Sequence, residues 1–469
     1  MSTESSSGSL PFSRRIPVRH NVDVFVAGGG PAGVAAAVAA ARQGASVFLI
    51  ESTNCLGGLG TAGLVPAYMT FGDGVNFLAA GIGREILTRL RETGGTGPGD
   101  SEKAAYGSVA IKAEVLKRVY DDILLDAGVD FSFHTNLIDV EADGEHVTAA
   151  ICASKSGVFA VKAGVYVDCT GDGDFAAWAG APFEKGDDLG RMMAGTLCSL
   201  WADVDFKKHR DSGISHYDRL EHAFADGVFT REDRHLPGMW QVMESIGGGN
   251  IGHTFDVDGT DERSLTRALV WGRKLVLEYE RYYKEYLQGF ENMKLVSTGS
   301  LLGIRETRRI TGEYVLNLED FHARATFDDE IGRYSYPVDI HCSTASKEDF
   351  EKFKHEHGSY RYRGGESYGI PYRSLVPLRL DNVLVAGRCV SSDRYIQSSI
   401  RVMPGCYITG QAAGIAGALA ASADGLTRKV PIRKLQNRLL SINAYLPNAI
   451  TTPAISADIF VADLQKKEK

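Results

Sequence analysis

The chain has no uninterrupted apolar run of the roughly 18 residues that a membrane-spanning helix needs. Its richest stretch, Val26 to Ala41, is broken by glycines and a proline. It has no surplus of positive charge: 51 Lys and Arg stand against 59 Asp and Glu, a net charge of −8, which gives no support for a nucleic-acid or anionic-membrane surface. Its seven cysteines, at 55, 152, 169, 198, 342, 389 and 406, include no Cys-x-x-Cys, so a disulfide relay and a zinc ribbon both lack their signature. No repeat of fixed period is visible, and no metal site is expected, since His355-Glu356-His357 lies in a charged segment without further ligands at suitable spacing. The first 20 residues are polar and serine-rich, and Ser13-Arg14-Arg15 is not followed by the apolar stretch of an export signal. They read as a disordered leader of a cytoplasmic chain.

What is present is a strand, Asp23 to Ala27, that breaks into Gly28-Gly29-Gly30-Pro31-Ala32-Gly33 and then into an alanine-rich helix. Such a turn offers bare backbone N–H groups at the positive end of a helix, where a pyrophosphate binds. Gly28 permits the tight turn, Gly30 the approach of phosphate, and Gly33 the packing of helix on strand, while Pro31 suits the first helical turn. A second strand, Ser46 to Ile50, leads to Glu51, about 20 residues after the turn, where a carboxylate accepts both ribose hydroxyls and repels a 2′-phosphate. FAD or NAD is favoured over NADP.

Length predicts about three domain-sized units. Helical spacing marks Ile82 to Arg91 and residues 111–127, and a second glycine-dense loop runs from Leu56 to Val65. From Val129 to Asp168 the period changes to two, with short runs at 129–134, 137–141, 147–153, 158–162 and 164–168, read as a small antiparallel meander returning to the parallel sheet. The last run ends at Thr170-Gly171-Asp172, where open α/β sheets place ligands. Residues 190–360 differ in character, with a long helix from Glu262 to Leu287 whose tyrosines read as core packing. Nucleotide-fold character returns at Val383 to Arg388 and in a helix from Cys406 to Ala421 that opens after Pro404-Gly405 and carries small residues. The fold class is therefore α/β: a Rossmann-like dinucleotide-binding domain, parallel sheet plus meander, with an inserted α+β substrate or cap domain. The expected boundaries are leader 1–20, first part 21–189, cap 190–360, and second part with C-terminal helices 361–469.

Several motifs together resemble one family: Gly28-x-Gly30-x-x-Gly33, Gly57-Gly58, Val167-x-x-Thr170-Gly171-Asp172, Gly303 to Tyr314, Tyr336-Pro337-Val338-Asp339-Ile340-His341, Ile370 to Arg373, Val385 to Arg388, Arg401-Val402-Met403 and Gly410 to Gly414. The chain resembles bacterial FAD-dependent oxidoreductases with a glutathione-reductase-type FAD domain, over residues 20–445 and least over 200–290. The resemblance implies FAD, with its AMP half on Gly28, Gly30, Ala32, Gly33 and Glu51. It puts Gly57 and Gly58 by the pyrophosphate or ribityl chain, with Ser52 and Thr61 in the same loop region, and Leu137 against adenine. Thr170, Gly171 and Asp172 fall at the crossing point, Gly387 and Arg388 at the ribityl and flavin end, and Arg401, Val402 and Met403 near the ring. A helix N-terminus there favours the negative charge of reduced flavin. Where the family has Thr-His-Glu, this chain has Asp393-Arg394-Tyr395, so Arg394 becomes a candidate contact for an anionic or strongly polar substrate.

A flavin takes a hydride from a C–H while a base takes the adjoining proton, and neutral imidazole suits that task. His341 is the first candidate base, the alternative being a structural buried imidazole. His253, after the Gly247–Gly249 loop, is a weaker substrate-binding candidate. Arg305 is the candidate clamp on substrate, with Arg308 and Arg309 read as an ion-pair lattice with Glu306 and Glu313. No second Gly-x-Gly-x-x-Gly lies in helix context, so electrons are expected to come from an organic small-molecule substrate and leave to oxygen, a quinone or another acceptor. The expected activity is oxidation of a polar CH–OH or CH–NH donor. The alternatives are a reduced-flavin-dependent reductase or redox-neutral enzyme acting on an activated C=C, and a non-enzymatic FAD-binding protein. A homo-oligomer is compatible with the sequence.

Overall fold

Val24, Phe25, Val26 and Ala27 have no exposed surface, which requires cover on both faces and fits the middle of a parallel sheet. The computed structural model describes residues 10, 12–236, 238–357 and 360–449. Its first elements are β1 (Val18–Ala27), α1 (Pro31–Ala41), β2 (Val47–Ile50), α2 (Ile82–Glu92), α3 (Ala113–Asp126), β3 (Asp130–Ser132), β4 (Asn136–Asp143), β5 (His146–Ser154) and β6 (Gly157–Asp168). There follow β7 (Ser199–Ala202), β8 (Gly238–Gln241), β9 (Gly247–Asn250), α4 (Glu262–Tyr286), β10 (Lys294–Thr298), β11 (Val383–Val385), α5 (Arg394–Ile400) and α6 (Met403–Ala421).

The main sheet has seven strands in the order β3-β2-β1-β6-β5-β4, with β11 beside the C-terminal half of β6. Strands β3, β2, β1, β6 and β11 are parallel, and β5 and β4 return antiparallel. Register aligns Val26 with Leu49 on one side and Val167 on the other. The chain therefore has the α/β class and parallel sheet expected of it. Differences arise within the meander: residues 130–132 join the parallel sheet beside β2, and the runs 158–162 and 164–168 are one strand. That strand is long because its first half pairs with β5 and its second with β11. β1 begins at Val18, inside the stretch expected to be leader, since Val18 pairs with Ala160; residues 1–9 and 11 lie outside the described residues.

Helix α6 needs its small residues to lie against α1. A Cβ on Gly410 would come 2.2 Å from the Ala32 carbonyl oxygen, and one on Gly414 would come 2.0 Å from that of Ala36. Three buried tyrosines tie this layer to its surroundings: Tyr407 of α6, Tyr120 of α3 and Tyr68 share their hydroxyls, Tyr68 to Tyr407 at 2.8 Å. Each therefore finds a partner away from water.

A separate antiparallel sheet, in the order β8-β9-β7-β10, carries α4. Asp261 caps α4 by accepting from the Ser264 N–H at 2.6 Å, and Tyr279, Tyr282 and Tyr283 pack with Trp201 and Phe290 in the core of this unit. The glycine stretch 247–249, read as a loop, is the strand β9. Cβ atoms on Gly247 and Gly248 would come 2.4 Å from Met239 Sδ and Pro66 Cβ, so close packing explains these glycines. The boundary expected at 360 cuts a strand pair, Glu330–Tyr334 with Tyr368–Pro371, whose residues share the core of α1 and α6. The segment Tyr336–Ile340, whose apolar residues make it strand-like in sequence, is irregular chain.

In this second core His216 lies against Tyr283 and Phe290, its Nδ1 buried with no hydrogen-bond partner among the described residues. Burial, aided by His209, pulls its pKa from 6.5 down to about 4. The unfolded chain then takes up a proton near pH 6.5 that the folded chain refuses until about 4. This contribution to stability is complete above pH 6.5 and is lost as the pH falls toward 4. The shift corresponds to about 3 kcal/mol. Urea unfolding of His216→Phe at pH 7 and pH 4.5 is expected to show a smaller acid loss than wild type; an equal loss would contradict this account.

Candidate active site

The chain turns sharply after β1. Gly28 has φ +97°, and a Cβ there would come 2.5 Å from the Cys169 carbonyl oxygen, so the turn is wedged against the end of β6. Gly30 is the extended N-cap of α1, with no side-chain cap and no acid in the first turn, which leaves the helix N-terminus to an external anion. Gly33 is buried: a Cβ would come 1.8 Å from the Gly28 carbonyl oxygen. Glu51, at the end of β2, accepts from the Gly29 N–H at 2.8 Å with Oε2 and from the Thr53 N–H at 2.8 Å with Oε1.

Gly28, Gly30 and Glu51 border a cavity of about 480 Å³ assembled from distant segments. Gly28, Gly30, Pro31, Ala32, Glu51, Ser52, Gly58, Leu137, Thr170, Gly171, Asp172, Gly387, Arg388, Arg401 and Met403 all line it. Four of the candidates assigned to the cofactor do not. Gly33 packs α1 on the turn, and Thr61 is buried, donating to the Leu56 carbonyl at 2.6 Å to close the loop after β2. Gly57, with φ +102°, lies under Thr61 and Tyr120, and Val402 is the N-cap of α6.

The far wall is built around buried Asp168, whose carboxylate accepts from the Thr170 N–H at 3.0 Å, the Thr170 hydroxyl at 2.7 Å and the Ala176 N–H at 2.9 Å. Burial pushes its pKa up to about 6 in spite of these bonds. Arg388 spans the crossing point, donating to the carbonyls of Gly171 at 3.0 Å and Ile304 at 2.7 Å and to Asp172 Oδ1 at 2.6 Å. Arg401 donates to Asp339, at 3.0 Å to the carbonyl and 3.1 Å to Oδ2, while its Nε is buried with no hydrogen-bond partner among the described residues. An uncapped helix N-terminus at one end and an orphaned buried donor at the other match a long ligand carrying phosphates and a polar, electron-rich ring edge.

Behind Arg401 lies a buried polar chain. Asp233 accepts from His253 Nδ1 at 2.8 Å, His253 Nε2 is 2.9 Å from His341 Nδ1, and His341 Nε2 is 3.6 Å from Asp339 Oδ2. Burial, with Arg305 and His235 beside it, pulls the His341 pKa well below the usual histidine value. Burial opposes the charge on Asp339, but His341 when protonated, and the permanent charge of Arg401 at 3.1 Å, hold its carboxyl well below the ordinary range. His235, His253 and His341 have ligand atoms within 4.8 Å of one another, a spacing that suits a metal. Yet the His235 and His341 rings are stacked, 4.3 Å apart and 9° from parallel. Imidazole lone pairs lie in the ring plane, so these two cannot aim at one ion about 2.1 Å away. The cluster reads as a proton-holding network.

His341 and Arg394 line a second cavity of about 480 Å³ with Arg191, Asp187 and Asp349. Arg394 donates to Glu306 at 3.0 Å and to Ser343 at 3.2 Å. His253 lines neither cavity. Arg305 lines neither as well: its guanidinium donates to the Ala194 carbonyl at 2.8 Å, Thr196 at 2.9 Å and Asn250 at 3.1 Å, and burial brings its pKa down to about 10. Its charge acts on His341 from within the protein. Arg309 pairs with Glu306 at 2.5 Å as expected of a lattice, whereas Arg308 takes Asp174 and Glu313 takes Arg428. Asp233, His235 and the pairing role of Asp339 were not picked out by sequence reasoning. The repeated Asp-x-His, Asp233 to His235 and Asp339 to His341, is the signal that marks them.

Among the described residues no helix is long and apolar enough to cross a membrane. A geranylgeranyl bacteriochlorophyll reductase-like protein of Thermoplasma acidophilum is similar in structure over 96% of this chain and 97% of its own, at 13% identity and a TM-score of 0.43. The p-nitrophenol 4-monooxygenase of Pseudomonas putida aligns over 90% of this chain and 81% of its own, at 12% identity and a TM-score of 0.43. A myxobacterial chondrochloren halogenase aligns over 96% and 90%, at 13% identity and a TM-score of 0.42. No curated protein sequence matches the chain. The family model described as FAD dependent oxidoreductase matches residues 23–439, nearly the whole length over which the sheet, the cavity and the imidazole chain are built: the chain belongs to the FAD-dependent oxidoreductase family and uses FAD.

Proposed function

We propose that this oxidoreductase oxidises a polar small molecule at a CH–OH or CH–NH group, with His341 receiving the proton. The observation that carries the reading is the buried run from Asp233 through His253 and His341 to Asp339, which meets the cavity-lining Arg401 at 3.1 Å. Bound FAD supplies a two-electron acceptor. The AMP half would lie on Gly28, Gly30, Ala32 and Glu51, with Leu137 at the adenine. The ring would lie against Arg401 and Met403 at the N-terminus of α6, whose positive end favours negative charge on a neighbouring ring.

A donor entering by the second cavity meets His341, and Arg394 offers a fixed positive charge to an anionic or strongly polar substituent. The donor loses two electrons with its C–H hydrogen and gives its O–H or N–H proton to His341, leaving a carbonyl or imine. A neutral imidazole suits this step, because burial and Arg305 keep the ring unprotonated at neutral pH. Asp339 then faces the imidazolium and stabilises it. The electrons leave to oxygen, a quinone or another small acceptor.

The test is anaerobic mixing of the yellow protein with a panel of sugars, polyols, hydroxy acids and amines. Loss of flavin absorbance with a member of the panel is expected. Protein that dithionite reduces but that every donor leaves oxidised would contradict the proposal.

A further inference from the structure

We propose that Asp233 and His253 are positioning residues that fix which nitrogen of His341 takes the proton. The inference rests on the reading of His341 as the base. Asp233 is a carboxylate held anionic, so it only accepts; its partner, His253 Nδ1 at 2.8 Å, must carry hydrogen. With its Nδ1–H committed to Asp233, the singly protonated ring of His253 can only accept at Nε2, from His341 Nδ1 at 2.9 Å. Of the two unprotonated nitrogens, His253 Nε2 is engaged by His341, which leaves His341 Nε2 with the available lone pair, on the side of Asp339 at 3.6 Å. Uptake of one proton there yields an imidazolium between His253 and Asp339. Passing a proton along the bond to His253 puts the charge beside Asp233, so the two carboxylates share its stabilisation. The remaining charged groups facing the chain, Arg305 and Arg401, are held by the Ala194 carbonyl and Asp339 respectively, and His235 stacks on His341.

The backbone makes the test sharp. Asp233 Oδ1 also accepts from the His235 N–H at 3.0 Å. In Asp233→Asn that N–H selects the amide oxygen for itself, because the alternative sets two donors against each other. The amide NH₂ must then face His253 Nδ1, which turns from donor to acceptor. The reversal runs along the chain: His253 gains Nε2–H, and His341 gains Nε2–H with a bare Nδ1. The base lone pair disappears from the side of Asp339, although shape and size hardly change. A reversed tautomer of this kind slows general-base catalysis by about 10²- to 10⁴-fold.

The experiment is histidine-selective nitrogen-15 NMR of the FAD-loaded full chain at pH 7, which reads tautomers without any substrate. Wild type is expected to show Nδ1–H on both His253 and His341, and Asp233→Asn to show Nε2–H on both, with FAD content and dithionite reduction unchanged. Nε2–H on His341 of the wild type, or an unaltered tautomer in folded Asp233→Asn, would overturn the proposal. Should the variant not fold, the wild-type spectrum alone decides. His341→Ala separates the two levels. Donor reduction at the wild-type rate in that variant would remove His341 as base and this role with it. A slow His341→Ala together with an unaltered tautomer in Asp233→Asn would overturn the positioning role alone.

Discussion

His341→Ala is expected to purify with FAD bound and to reduce that FAD with donor about 10²-fold or more slowly than wild type. The side chain packs against His253, His235 and Asp339, borders the second cavity, and is not among the groups that line the nucleotide cavity. Cofactor retention and donor oxidation are therefore separable. Removing the ring leaves Asp339 facing Arg401 and takes away the acceptor for the proton, so the loss belongs in the reduction rate. Because burial and Arg305 keep the imidazole neutral, the wild-type rate is expected to stay level from pH 6 to 8. Anaerobic stopped-flow measurement of flavin absorbance gives both quantities. A variant reducing its flavin at the wild-type rate would remove His341 from the chemistry.

Two glycines three residues apart are expected to fail in opposite ways. A Cβ on Gly30 meets nothing within 4 Å, and the residue lines the cavity, so the side chain of Gly30→Val projects into the space assigned to phosphate. This variant is expected to fold with a nearly wild-type melting temperature and to bind FAD about 10²-fold more weakly, a difference of about 3 kcal/mol. A Cβ on Gly33 would come 1.8 Å from the Gly28 carbonyl oxygen, which requires α1 to leave the sheet. Overpacking of this kind costs about 3 kcal/mol or more, and since α1 also supports α6 the loss spreads through both layers. Gly33→Val is therefore expected to be largely insoluble or to melt many degrees lower. Thermal melts and FAD titration of the two proteins distinguish these outcomes. Equal effects of the two substitutions on folding would contradict the packing described here.

The nucleotide half of the site was legible in the sequence because it is local. A strand, a glycine turn, a helix start and an acid at the end of the next strand follow one another within 29 residues, Asp23 to Glu51, and each constrains the backbone at its own position. The small residues of α6 were legible as a demand for close approach, though their partner was not: the helix lies on Ala32 and Ala36 of α1. Strand boundaries in the meander failed where one long strand exchanges partners midway, since periodicity reports exposure and not pairing. The glycines of β9 gave a turn signal, yet they are there to admit Pro66 and Met239. The polar chain was the hardest part to see. Asp233, His253 and the Asp339–His341 pair come from three separate segments; the Asp-x-His spacing marks two of those segments but not that they meet each other and His253. Arg305, the candidate clamp on substrate, instead engages its donors with Ala194, Thr196 and Asn250.

A crystal structure of the protein with FAD bound tests the account most directly. The adenosine is expected between Glu51 and Leu137, the pyrophosphate at Gly30, and the ring against Arg401 and Met403 beside the His341 chain. FAD lying in the reverse direction, or with its ring away from Arg401, would contradict it.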